Sequence, residues 1–196
     1  YFVPQLADHA DKDIVITRKE DGMSATYVYN NGKFQVCSRN YILNANDVKD
    51  LPDYFQMENK YDIKRGMTKL KRNLAVQGEI VGPRINGNRL NLPGTLMFVF
   101  DIFDIDKQEY LGFDATLEVC AALGLPTVPL LYRGPATNAL PSLTQDSFMA
   151  LAEAQEYGPG LPAEGIVVKS DDPLWRQRRV HFKLISDVYS QKYNVY

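Results

Sequence analysis

Cysteine is nearly missing from this chain of 196 residues, and so is any apolar run approaching the roughly 18 residues needed to cross a bilayer. The two cysteines, Cys37 and Cys120, fall in strand-like or apolar stretches and have no metal spacing. No disulfide framework is implied, and a reducing compartment is expected. The N-terminus has none of the architecture of a signal peptide. Bulk positive charge is absent as well: a net charge of −2 and a pI near 5.7 exclude a protein that coats nucleic acid by overall electrostatics, while leaving room for a local basic face. The expectation is a soluble, intracellular monomer with no membrane partner.

What is present points to a packed domain. At 45% hydrophobic, the chain is long enough for one globular domain with a real core, and its twelve Tyr and nine Phe favour strands. The first residue is Tyr and a candidate nucleophile follows only eighteen residues later, so the chain is expected to be a fragment of a longer protein.

Residues 13–29, D-I-V-I-T-R-K-E-D-G-M-S-A-T-Y-V-Y, organise the rest. Ile14 and Ile16 share one face of a strand, Ala25 and Tyr27 alternate with Thr26 and Val28, and K-E-D-G lies between the two runs. Asp21-Gly22 between alternating runs is a hairpin signal, with Lys19 then a solvated lysine. The same residues also read as K-x-D-G, a lysine nucleophile that forms a covalent intermediate. The segment alone supports both.

Downstream, residues 1–12 read as an irregular lead-in with a surface His9. Asn30-Asn31-Gly32 is a turn, and residues 33–39 form a third strand of a meander that ends at Arg39, either a plain strand-end arginine or a bidentate phosphate contact. Residues 46–52 suggest a short helix or loop broken by Pro52. Residues 60–72 carry six positive charges against one acid, in a helix expected to be interrupted at Gly66; this is a solvated face or a track for a phosphate backbone. Residues 74–83 form a strand in which Glu79 interrupts apolar residues, with Gly78 and Gly82 expected to admit a ligand close to the backbone. In residues 95–105 the alternation places Phe98 and Phe100 on one face, as core or as a wall for a purine.

Residues 112–123 have helical spacing and stop at Gly124; residues 127–131 suggest a short strand, and residues 142–157 a second helix. Glu164 opens the apolar strand 163–170, with Lys169 at its far end. A charged stretch with Trp175 follows. The last strand, 180–185, places Lys183 among apolar neighbours, where burial would require an anionic partner, with His181 on the same face.

K-E-D-G at 19–22, S-R-N at 38–40, G-E-I-V-G at 78–82, F-V-F-D-I-F at 98–103, E-G-I-V-V-K at 164–169 and H-F-K-L-I-S at 181–186 form an ordered series. The series resembles the nucleotidyltransferase domain of ATP-dependent RNA ligases, most closely the group with an OB-type domain ahead of the ligase domain. The resemblance runs from about Ile14 to Ser186. It implies an α+β fold of antiparallel β-sheets flanked by helices (ATP-grasp-like), with the nucleotide in a cleft between sheets. It also implies a single nucleotidyltransferase domain over residues 1–196, joined in the full protein to an accessory domain.

By the same resemblance Lys19 accepts AMP, Glu20 fills the free position of its motif, and Asp21 organises the water shell of a metal. Arg39 contacts phosphate, Glu79 binds ribose, Phe98 or Phe100 stacks on adenine, Glu164 holds Mg²⁺ or Mn²⁺ or its waters, and Lys183 contacts the α-phosphate. Two positions depart from the family pattern: Arg18 stands where many members have Glu, and His181 where a second lysine is common. Lys169, His181 and Arg18 are therefore candidates of second rank. The implied reaction consumes ATP, adenylylates Lys19, passes AMP to an RNA 5′-phosphate and displaces it with a 3′-hydroxyl. A free lysine, with a pKa of about 10.4, is roughly 4 to 5 kcal/mol from its nucleophilic form at neutral pH, a deficit that nearby positive charge reduces. The alternatives are a DNA ligase, a capping-type nucleotidyltransferase, and a non-catalytic nucleic-acid-binding β domain.

Overall fold

The computed structural model describes residues 11–171 and 181–195. The lead-in with His9 and the charged stretch with Trp175 lie outside the described residues. In chain order the strands are β1 (Asp13–Lys19), β2 (Met23–Asn30), β3 (Lys33–Cys37), β4 (Ile42–Leu43), β5 (Leu74–Val81), β6 (Leu96–Asp104), β7 (Glu109–Tyr110), β8 (Leu130–Pro135), β9 (Glu156–Gly158), β10 (Leu161–Pro162), β11 (Gly165–Ser170) and β12 (His181–Ile185). The α-helices are α1 (Pro52–Lys60), α2 (Ile63–Leu70), α3 (Phe113–Leu123), α4 (Gln145–Glu153) and α5 (Asp187–Tyr193). This is the expected α+β class with antiparallel sheets. Among the described residues, no helix is long and apolar enough to cross a membrane.

The chain divides into two compact units. The first joins the residues up to Asp21 with those from Val128 onward. Its four-stranded antiparallel sheet has the order β12-β11-β1-β8. Ile14 and Ile16 of β1 pack with Ile166, Val168 and Leu184 of the neighbouring strands and with Phe148 and Ala152 of α4. Because β1 is flanked by strands on both sides, Val15 and Thr17 are buried as well, which suits its β-branched sequence. Helix α4 starts after Thr144, whose hydroxyl accepts the Ser147 N–H. It ends four residues short of the expected 157. There the chain enters a small hairpin, β9 and β10, turning at Gly160 with φ +71°.

The second unit, Gly22–Thr127, holds a six-stranded sheet of order β4-β3-β2-β5-β6-β7. Helices α1, α2 and α3 cover one face. Ala25, Tyr27, Val76, Ile80, Met97 and Val99 of the sheet pack with Met57, Ile63, Met67, Val119 and Leu123 of the helices. Asn31 and Gly32 both have positive φ and close the β2–β3 hairpin in the way an Asn-Gly turn favours.

Several expectations change. Strands β1 and β2 are not a hairpin: β1 pairs with β8 and β11, β2 with β3 and β5, so the meander is β2-β3-β4 and residues 20–22 pass the chain from one unit to the other. Asp21 and Gly22 lack the positive φ of a two-residue hairpin turn. Gly22 is required for a different reason, since a Cβ there would lie 2.2 Å from the Ile80 carbonyl oxygen. Pro52 opens α1 at a position that needs no N–H instead of breaking a helix. Gly66 does not interrupt α2; its missing side chain leaves room for Leu123 of α3, which a Cβ would meet at 2.7 Å. The space at Gly78 and Gly82 is taken by Met97, Phe98 and Thr95 of the protein itself, not kept for a ligand.

Gly165 has φ +146°, and a Cβ there would lie 1.9 Å from the Leu184 carbonyl oxygen, a contact that only a backbone shift relieves. Gly165→Ala should therefore destabilise the protein by at least about 2 kcal/mol. Gly94→Ala, with open space and no positive φ, should be neutral or slightly stabilising. Thermal and urea unfolding of the two variants against wild type measures both, and equal stabilities would contradict the packing described.

Candidate functional site

Strand alternation sorts the first unit's sheet into two faces. One is the apolar face of Ile14, Ile16, Ile166, Val168 and Leu184. On the other, Val15 stands opposite both Lys169 and Arg133, Thr17 opposite Val167, Lys169 opposite His181, Val167 opposite Lys183, and Lys19 opposite Gly165. Lys19, Lys169, Lys183, His181 and Arg133 thus share one face. Lys183 is exposed on it, not buried as its apolar neighbours suggested, because Leu184 takes the inward position. It therefore bears no burial cost that an anionic partner must offset. Arg133 pairs with Asp171 at 3.1 Å.

Lys19 ends β1, and its Nζ lies 2.6 Å from Glu164 Oε2, with each side chain about one-fifth exposed. Glu164 immediately precedes β11 and is fixed through its backbone. Its N–H donates to the Tyr157 hydroxyl at 3.1 Å, and its carbonyl accepts the Ser186 N–H at 2.9 Å. The same Tyr157 hydroxyl donates to the Lys19 carbonyl at 2.9 Å. One phenol therefore ties the backbone of the lysine to that of its carboxylate partner. Burial pushes this phenol well above its ordinary pKa, opposed by the Glu164 N–H and reinforced by the charges of Glu20, Glu164 and Asp21, so it stays a donor.

Asp21 is buried and accepts a hydrogen bond of 2.5 Å from the Tyr189 hydroxyl. Tyr189, itself buried, belongs to α5, which is capped by Ser186; the Ser186 side chain accepts the Tyr189 N–H at 3.2 Å. Glu20, expected to be the unconstrained position of its motif, is 2% exposed. Its Oε1 accepts from Arg18 Nε at 2.8 Å, while Oε2 has no partner among the described residues. Burial raises its pKa, and Arg18 counteracts this in part. Arg18 points away from Lys19, as neighbours on a strand must. It also donates to the Glu156 carbonyl at 2.8 Å and lies 5.1 Å from the centre of the Tyr157 ring. It braces the β9 hairpin and Glu20, so its departure from the family pattern falls outside the cationic face.

In the second unit, Glu79 lies on the sheet face turned from the three helices, directly opposite Ser24 on β2 and Phe98 on β6. The register slips by one between Gln77 and Gly78, and Phe100 is the extra residue. Phe98 stands across from Glu79, and Phe100 sits at the bulge between Val99 and Asp101. Arg39 is exposed in a turn closed by the Ser38 N–H on the Tyr41 carbonyl at 2.9 Å. Burial raises the Tyr54 phenol; the charge of Glu79 raises it further and Arg39 opposes, so both act on one hydroxyl.

No group of three or more His, Cys, Asp or Glu forms a metal cage among the described residues. Glu164 and Asp21 supply hard oxygen donors without enclosing an ion. They fit Mg²⁺ or Mn²⁺ held largely by water and substrate phosphate. Tyr157 and Tyr189 are not legible as site residues in the sequence, Tyr157 because its segment reads as a helix end and Tyr189 because nothing local marks a tyrosine whose partner is 168 residues away.

A family model described as RNA ligase matches residues 12–185. Solved structures of an RNA ligase from Naegleria gruberi are similar. A variant with ATP and Mn is 28% identical, with a TM-score of 0.85, over 98% of this chain and 54% of that one. The same ligase with pyrophosphate gives a TM-score of 0.84 at 28% identity, over 98% and 55%. A variant with AMP and Mn gives 0.84 at 28%, over 97% and 55%. The chain thus spans about half the length of these proteins. Comparison with curated proteins finds no match.

The raised pKa of Glu20 has a defined sign. Its folded form holds the proton more tightly than the unfolded chain, so its contribution to stability is full below the ordinary carboxyl pKa of about 4.3 and is lost as pH rises through the folded value. Glu20→Gln should flatten the decline in this window. Urea unfolding of both proteins from about pH 4 to 7 measures the difference, and parallel curves would contradict it.

Proposed function

We propose, because the chain belongs to the RNA ligase family, that it uses ATP and a divalent metal to build a covalent lysyl-AMP at Lys19, the first step of RNA end joining. The observation that carries this is the placement of Lys19 at the edge of a face of cations, 2.6 Å from Glu164. The Naegleria gruberi ligase structures with ATP, AMP, pyrophosphate and Mn support the same ligands here. The two units are taken as one nucleotidyltransferase domain, since one family model spans both.

In the proposed step the Lys19 ammonium releases a proton to solvent, the neutral amine attacks the α-phosphorus, and the second proton leaves the nitrogen to solvent as the new bond forms. A nitrogen–phosphorus bond forms as the bond to the bridging oxygen breaks, and pyrophosphate leaves with the electron pair. Lys183, exposed on the same face, neutralises the α-phosphate oxygens, Lys169 extends the positive field, and His181 offers a ring nitrogen as a hydrogen-bond donor on that face. Tyr157 holds the Lys19 and Glu164 backbones together, so the amine is aimed before substrate arrives. Glu164 and Asp21 would hold the metal or its waters, Asp21 being kept in place by Tyr189. A divalent ion held there would supply positive charge that competes with the amine for Glu164 and neutralises phosphoryl oxygen. Glu79 is assigned to the ribose, Phe98 or Phe100 to the adenine face, and Arg39 to phosphate.

AMP then passes to an RNA 5′-phosphate and is displaced by a 3′-hydroxyl. A DNA ligase or capping-type enzyme would share the lysine chemistry; the match to RNA ligases favours RNA, and labelled ATP and GTP given separately distinguish a capping-type enzyme. A purely binding β domain would take no label.

Intact mass after incubation with ATP and Mg²⁺ should show one added AMP, lost in Lys19→Ala; label retained in that variant would sink the assignment. Glu164→Ala should slow adenylylation by about 100-fold or more and Glu79→Gln by about tenfold, since a lost metal ligand removes more transition-state charge compensation than a lost ribose hydrogen bond. Small, equal effects would contradict these roles.

A further inference from the structure

Helix α2 carries a basic face that the adenylylation chemistry does not use. Its inward side is fixed by buried Ile63 and Met67 and by Gly66, which lies close against Leu123 of α3. That packing leaves Lys64, Arg65, Thr68 and Lys69 exposed, with Lys71 just beyond the last turn. Of the six cations in residues 60–72, three are engaged: Lys60 with the Thr95 carbonyl, Arg65 with Asp62, and Arg72 with Asp104. Lys64, Lys69 and Lys71 have no side-chain partner among the described residues. In a chain of net charge −2, these three form a local surplus, not a share of an overall positive charge.

The geometry is that of a short track. Lys64 and Lys71 are seven positions apart, which at 1.5 Å per residue puts them on one side of the helix about 10 Å apart. Lys69 stands on the same exposed half. Lys71 occupies the left-handed C-cap, φ +52°, where Gly or Asn would be the easier choice. Lys71 thus stands exposed at the helix end beside two other lysines that have no side-chain partner among the described residues.

We infer that this face binds the phosphate backbone of single-stranded RNA, through residues that the proposed nucleotide chemistry does not use. The identity of the polyanion rests on the RNA ligase reading above; the existence of a polyanion face rests on the unpartnered lysines. Ammonium groups on one helix side neutralise phosphates and release condensed counterions, so binding should be strongly salt-dependent and nearly indifferent to base sequence.

The test uses the whole chain and a short fluorescent single-stranded RNA, with anisotropy measured from about 50 to about 200 mM salt. The variant K64Q/K69Q/K71Q should bind about tenfold more weakly at the lowest salt, with its log–log salt slope reduced by about 0.7 for each phosphate no longer neutralised. A control that removes the same charge elsewhere, K33Q/K49Q/K107Q, should bind like wild type. AMP adduct formation without RNA should proceed equally in all three, which also reports that each is folded. Unchanged binding and slope in the α2 variant, or the same weakening in both variants, would overturn the proposal. Tighter binding of DNA of the same sequence would assign the face to a different polyanion and overturn it as stated. Absence of an AMP adduct in wild type would defeat the proposed function while leaving the binding comparison to be judged alone.

Discussion

The Lys19–Glu164 ion pair is the contact on which the first unit's arrangement depends. Both side chains are about one-fifth exposed. The pair therefore lies between surface salt bridges, worth about 0 to 1 kcal/mol, and buried ones, whose breaking costs about 3 to 5 kcal/mol. That intermediate status suits the nucleophile proposed above: firm enough to aim an amine, weak enough that a phosphate and metal could open it. The backbone hydrogen bonds make this possible. The Tyr157 hydroxyl and the Ser186 N–H hold Glu164 by its main chain, leaving the carboxylate free to change partner without disturbing the strand ends.

The sheet that carries this pair does its work by having two different faces. The two-residue period that buries Ile14, Ile16, Ile166 and Val168 sends Lys19, Lys169, His181 and Lys183 the other way. Apolar packing thus determines where the charges stand, and a one-residue slip in any strand would exchange the two sets. Gly165 shows how tightly the register is held, since the β11–β12 approach leaves no room for a single methyl group.

Much of this was legible in the sequence because it is written in short periods. The strands, the Asn-Gly turn, the stop at Gly124 and the carboxylates that open or interrupt apolar runs are local patterns, and the ordered motifs assembled them into one resemblance. The failures share a cause. Asp21-Gly22 looks like a hairpin until Gly22 is seen to be required by a backbone oxygen of Ile80, 58 positions away, and Gly78 looks ready for a ligand until Met97 and Phe98 fill its space. The bulge at Phe100 is set by the register of the neighbouring strand. Tyr157 and Tyr189 act through hydroxyls on distant partners. In each case the deciding atom belongs to a different segment of chain, which no local period records.

Charge placement in the first unit follows a consistent logic. Gathering Lys19, Lys169, Lys183 and Arg133 on one face sets like charges near one another. At an effective dielectric of about 20, two unit charges 4 Å apart interact with about 4 kcal/mol, and the energy falls inversely with distance. The resting fold limits that repulsion with Glu164 on Lys19 and Asp171 on Arg133, while Lys183 remains exposed to water. A polyphosphate removes the same repulsion more completely than water does. A ligand that binds the folded state alone stabilises it by mass action, so an anion that relieves this repulsion would gain affinity from doing so. In the proposed reaction these cations would serve the phosphates of ATP more than the stability of the resting fold.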